Sequence, residues 1–291
     1  MTAFPGGTSV SRLAVYDDGG TPHLHTVSTE AYVVTGGTGT LLTLDTNGLR
    51  ETPLAAGSTI WFTPGTIHRA VNLDDLRVLV IMSNAGLPEA GDAVMTFPTG
   101  IVADPERYRA AAHLSGDPDQ AVRRRRDLAL EGFEQLVAAA EAGDPKPLRE
   151  FHEAAVALVR PLVAGWRDLW QSTVEAATRR TAAILDALET GDGRHLAASA
   201  VLGSPPSDPP RWGMCGRLGA HDVHHPAVLS AVSSGSVSSG SVSSGSVSSG
   251  SVSSGSVSSG PVSYGPVSSG SVGFGSVGSG SAGPVVTEGH Q

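Results

Sequence analysis

The sequence predicts a β + α chain: an antiparallel sandwich or barrel over residues 10–98, an α-helical region over 104–202, a linker or irregular stretch over 203–229 and a disordered Gly/Ser/Val repeat tail over 230–291. Three observations predict it. Short runs rich in β-branched residues alternate with turn signals as far as Phe97. The apolar spacing then becomes helical after Asp104. Beyond Ser230 a Gly-Ser-Val-Ser-Ser repeat runs without an acid or base until Glu288.

The strand signals come in order. Residues 11–16 stop at Asp17-Asp18-Gly19-Gly20, and 31–34 run into Gly36-Gly37. Residues 40–44 meet Asn47-Gly48, the strongest short-range hairpin signal. Residues 58–62 and 76–82 complete the set. Trp61 is expected in the core.

The helical signals follow. Asp104-Pro105-Glu106 and Asp117-Pro118-Asp119 each offer an N-cap, a proline for the first turn and an acid near the positive helix end. Leu128, Phe133, Leu136, Val137 and Ala140 recur at helical spacing up to Gly143. Val156, Val159, Val163, Trp166 and Trp170 form a second stripe that Pro161 should kink, and core packing is expected of both tryptophans. Ile184, Leu185 and Leu188 form a third. The repeat tail carries too little apolar bulk to offset the ~1–2 kcal/mol of backbone entropy that each ordered residue costs.

Composition narrows the function. The net charge of −9 over 291 residues argues against a nucleic-acid partner. The one basic run, Arg123 to Arg126, would wrap around a helix rather than form a stripe, so a solvated face is expected there. No helix-turn-helix is evident in the helical region. A single cysteine, Cys215, excludes an internal disulfide and a thiolate metal cluster, and a buried inert thiol is expected. The N-terminus lacks a basic and apolar leader, and no run approaches the ~20 apolar residues that span a bilayer. No membrane partner and a cytoplasmic location are expected.

The chemistry concentrates in two segments. Alternate residues of a strand share a face, so His23 and His25 point the same way, and Glu30 and Tyr32 share a face further on. His68, Ala70 and Asn72 do likewise in a later strand. Paired side by side, the segments would bring three imidazoles and one carboxylate together. Such donors suit a borderline divalent ion with positions left open for water or substrate. Tyr32 stands as a candidate for the substrate mouth and for proton transfer. Arg69 and Arg77 read as exposed strand arginines, and His221, His224 and His225 as a surface cluster.

These residues resemble the two motifs of the cupin superfamily. His23, His25, Glu30 and Gly37 fit the first, and Gly57, Gly65, His68 and Asn72 fit the second. Pro64 sits directly before Gly65, where the pattern leaves one residue between, and Asp17 stands where the pattern has a glycine. Neither departure touches a ligand. The resemblance implies a six-to-eight-strand jelly-roll barrel of the small, RmlC-like type 2 kind, usually a homodimer. It implies one divalent ion, iron, manganese, zinc, nickel or cobalt, on His23, His25, Glu30 and His68. The expected activity is dioxygenase or isomerase-like chemistry on a small metabolite, the alternative being a non-catalytic module that binds or senses one.

Overall fold

The computed structural model describes residues 4–229, so the repeat tail expected over 230–291 lies outside the described residues. Seven strands come first: β1 (Ser9–Val15), β2 (His23–His25), β3 (Glu30–Asp45), β4 (Gly48–Ala55), β5 (Thr59–Phe62), β6 (Ile67–Met82) and β7 (Ala93–Met95). All their pairings are antiparallel. The long strands β3 and β6 pair with each other along most of their length, Glu30 opposite Met82 and Leu44 opposite Ile67.

Both long strands bend midway, and the bend divides the sheet into two halves. In one half β5 flanks the start of β3 while β1 flanks the end of β6. In the other, β4 flanks the end of β3 and β2 flanks the start of β6. Register shifts between Val34 and Gly39 mark the bend, where Gly37 adopts φ +71 and a Cβ would lie 2.2 Å from the carbonyl oxygens of Asp74 and Asp75. Only glycine fits there. Asn72 braces the other strand: its Nδ2 donates to Val15 O at 3.0 Å and its Oδ1 accepts from Leu76 N at 2.9 Å. The bulge also resets side-chain parity. Glu30, Tyr32 and Val34 are buried before it, Leu41 and Leu44 after it.

Leu13, Tyr32, Val34, Leu41, Leu54, Phe62, Ala70 and Val78 build a core to which both halves contribute. Parity on β5 turns Phe62 into it and Trp61 out of it. Trp61 is 68% exposed, which corrects its expected place in the core.

Six helices follow: α1 (Thr99–Val102), α2 (Pro105–Ala112), α3 (Pro118–Glu141), α4 (Lys146–Val159), α5 (Val163–Trp170) and α6 (Ala176–Glu189). Asp104 caps α2 by accepting from Glu106 N and Arg107 N, and Asp117 caps α3 by accepting from Gln120 N. A short 3₁₀ turn over Arg160–Leu162, at Pro161, separates α4 from α5. Phe133, Leu136, Phe151 and Trp166 pack with Leu24, Leu44, Ile67 and Val94 in a second core on the other face of β2 and its neighbours. Burying each aromatic ring contributes about 1.5–3 kcal/mol. Trp166 is buried, with Nε1 donating to Ala90 O at 3.1 Å, but Trp170 lies at the surface, so only one tryptophan fills the role expected of both.

The arginine run is not uniformly solvated. Arg125 is buried and donates to Gly213 O at 2.8 Å, and Arg126 pairs with Asp18 at 3.0 Å, while Arg123 and Arg124 stay exposed. The helix turns two of the four guanidinium groups toward the rest of the protein.

The chain ends its described course in β8 (Leu202–Gly203), β9 (Arg211–Trp212), β10 (Gly216–Ala220) and β11 (Ala227–Val228). The stretch expected as a linker therefore supplies strands to the main sheet. β10 pairs with β1, Ser11 opposite Ala220 and Val15 opposite Gly216, and β9 pairs with β10. This covers an edge of β1 that would otherwise be open. Among the described residues no helix is long and apolar enough to cross a membrane.

Candidate metal centre

His23 and His25 point to the same side of β2, and cross-strand pairing sets His23 directly opposite His68 on β6. Glu30, the first residue of β3, completes the group. Among the described residues these four form the one cluster with metal-binding spacing, its donor atoms all lying within 4.8 Å of one another. All four side chains are buried.

The hydrogen bonds around the cluster decide how its rings are turned. His23 Nδ1 lies 2.8 Å from Thr21 O, His25 Nδ1 2.7 Å from Asp92 Oδ1, and His68 Nδ1 3.3 Å from Thr66 O. A carbonyl or carboxylate oxygen only accepts, so each Nδ1 carries the hydrogen and each Nε2 is left to the cluster. Glu30 Oε2 sits 3.1 Å from the Nε2 atoms of both His25 and His68. With each Nε2 unprotonated, neither Glu30 Oε2 nor His68 Nε2 has a hydrogen-bond partner. Buried polar atoms without partners are costly. Four inward-facing donors with two of them orphaned fit a shared cation better than a hydrogen-bond network, and three imidazole nitrogens with one carboxylate oxygen suit a borderline divalent ion.

The charges without an ion follow the same geometry. Burial and the neighbouring His68 and His25 push the His23 pKa well below its ordinary value, leaving a neutral ring. Burial also opposes a charge on His25, but contact with Asp92 and Glu30 outweighs it and raises that pKa to about 10. Burial disfavours the Glu30 carboxylate as well, yet His68 and His25 beside it hold it well below the usual carboxylate range. A proton on His25 thus sits between two acids, where a metal would bring positive charge.

Asp92 is the residue that sequence reasoning missed. Fully buried, it accepts from His25 with one oxygen and from Ser28 N at 3.0 Å with the other, while its backbone oxygen accepts from Thr26. It therefore fixes both a ligand ring and the turn leading to Glu30. An Asp after Gly91 reads locally as a turn residue, and nothing in its neighbourhood ties it to His25.

The other expected site residues are dispersed. Tyr32 is fully buried, its ring against Phe62 and His68 and its hydroxyl 3.9 Å from Cys215 Sγ. Burial, with Cys215 and Glu30 nearby, pushes its pKa well above the ordinary value. It is not among the residues that line the cavity beside the cluster, and its burial takes it out of contact with solvent. Arg69 donates to Gly20 O and Asp18 O, and Arg77 pairs with Asp75; both are engaged away from the cluster. Cys215 is buried, and burial raises its pKa to about 12. His221 contacts Ser204 O and His225 contacts Asp222, so the C-terminal histidines are not joined in one site.

Residues 10–82 match the family model described as the cupin domain. This segment is a cupin domain. Solved structures similar to it include a nucleoside dehydratase, Pac13 of Streptomyces, at 18% identity with a TM-score of 0.26, covering 31% of this chain and 69% of that one. A cupin-2 domain protein of Shewanella frigidimarina is 18% identical with a TM-score of 0.24, covering 27% of this chain and 72% of that one. The WlaRB TDP-quinovose 3,4-ketoisomerase of Campylobacter jejuni is 14% identical with a TM-score of 0.24, covering 25% and 60%. No curated protein matches the chain. The cupin domain supplies all four cluster residues, whereas Asp92 and the helices lie beyond the matched segment.

Proposed function

We propose that the chain is a metal-dependent cupin in which His23, His25, Glu30 and His68 hold one divalent ion beside a substrate cavity, the two half-sheets closing as a jelly roll around it. The supporting observation is the cluster itself: four buried donors aimed inward, with Glu30 Oε2 and His68 Nε2 lacking any other partner. A cavity of about 190 Å³ opens beside it and is lined by His23, His25 and Glu30. When bound, the ion would act as a Lewis acid on a chelating oxygen, or support oxygen chemistry if it is iron.

The chain's own groups have definite tasks in this reading. Thr21 O, Asp92 Oδ1 and Thr66 O hold the rings in the tautomer that presents Nε2. Glu89 lines the same cavity, and Gly86 N donates to its Oε2 at 3.0 Å. Its Oε1 is the candidate proton acceptor of an isomerase-like or eliminating reaction, the place that Tyr32 does not reach.

A sensing module is the second reading, and one observation favours it. Leu24, between the two ligand histidines, packs in the core shared with α3, α4 and α5. A change at the metal would thereby press on the helices. Metal analysis of the purified protein tests the common premise, with about one ion per chain expected. An oxygen-uptake and turnover screen against catechols, thiols and 1,3-diketones then separates the readings. Turnover abolished in a folded His25→Ala variant supports the enzyme; metal-dependent ligand binding without turnover supports the sensor.

A further inference from the structure

The cavity beside the cluster has a wall that the cupin domain does not supply. Gly213, Met214, Cys215 and Leu218, from the β9–β10 turn and β10, face His23, His25 and Glu30 across it. This wall is tightly held. Gly213 O accepts from Arg125 at 2.8 Å and from Tyr16 Oη at 3.2 Å, and Met214 O accepts from Thr21 N at 3.0 Å. Thr21 O in turn accepts from His23 Nδ1, so the wall and a ligand ring are both bonded to one residue. Gly20 lets them approach: a Cβ there would lie 2.9 Å from Cys215 Cα.

The chemistry of the lining is one-sided. No lysine or arginine contributes to it; Leu13, Val80, Met82, Met214 and Leu218 supply an apolar surface, with Ser9, Ser11 and Glu89 as its polar groups. With no lysine or arginine in the lining to bind phosphate, a nucleotide or sugar phosphate is a poor occupant. Positive charge would come from the ion alone, and it favours a chelating oxygen pair.

We propose that the β9–β10 wall forms an apolar specificity subsite, with Met214 and Leu218 receiving the uncharged tail of a small ligand whose oxygen head chelates the ion. This rests on the metal reading above and adds to it which part of the chain selects the substrate. Met214 and Leu218 are half-buried and pack at the edges of the two cores, so each serine variant is first checked for folding by urea unfolding.

The full chain loaded with cobalt(II) provides the test, read by the visible spectrum of the bound ion. Acetohydroxamate probes the head alone, and benzohydroxamate probes head and apolar tail. Benzohydroxamate should bind the wild type more tightly than acetohydroxamate. Met214→Ser and Leu218→Ser should each weaken benzohydroxamate about tenfold, with acetohydroxamate affinity and cobalt content unchanged. Met214→Leu should retain the preference. Equal affinity of the two probes in the wild type, or parallel changes for both in the variants, overturns the subsite while the metal reading stands. Failure of the wild type to take up cobalt overturns the metal reading, and the subsite with it.

Discussion

The candidate cavity has two unlike walls. One carries His23, His25 and Glu30, from strands within the matched cupin segment, and is ionisable and bent on holding charge. The other carries Met214, Cys215 and Leu218, reached only after the helices, and is apolar and closed by backbone hydrogen bonds. The first wall depends on side-chain atoms at fixed positions, so a single substitution there should remove its chemistry. The second depends on shape, so substitutions should change what fits rather than whether the ion binds. If both proposals hold, the cupin segment would keep the metal centre while a distant segment sets its ligand.

Substitutions on either wall test this contrast. The largest effect is expected at the ligands: His68→Ala or Glu30→Gln should abolish stoichiometric metal uptake in equilibrium dialysis, whereas Leu218→Ser should not. Asp92→Ala comes next. Removing the acceptor of His25 Nδ1 should lower metal affinity about 10–100-fold, and Asp92→Asn, which keeps an acceptor oxygen, should lose less. Competition with a chromogenic chelator measures both. Gly20→Ala attacks the junction of the two walls by pushing a methyl group into Cys215, 2.9 Å away. Overpacking of this kind should cost about 1–3 kcal/mol in urea unfolding and make the lone thiol react faster with a disulfide reagent. The smallest effect belongs to Trp61→Ser: at 68% exposure it should change stability by no more than about 0.5 kcal/mol.

The two walls were also unequally legible in the sequence. Strand parity alone puts His23 and His25 on one face, but the Gly36-Gly37 turn signal does not end a strand: β3 runs through it, and Gly37 at φ +71 passes against the Asp74 and Asp75 carbonyls. The Asp-Pro caps of α2 and α3 are equally local, since the cap bonds reach only two or three residues ahead. The partnership of Asp92 with His25 and the return of 211–220 to β1 depend on long-range pairing, which no local pattern encodes. Trp61 and Tyr32 show how one step of parity decides a role: pairing of Glu30 with Phe62 turns Phe62 inward and Trp61 outward, and it sinks Tyr32 into the core.

X-ray absorption at the metal edge of the cobalt-loaded protein reads the ligands of the ion itself. Three imidazole nitrogens and oxygen are expected in its inner coordination, with a loss of imidazole scattering in any His25→Ala protein that still binds. A spectrum without imidazole ligands, or one unchanged by that substitution, would rule out the four-residue centre.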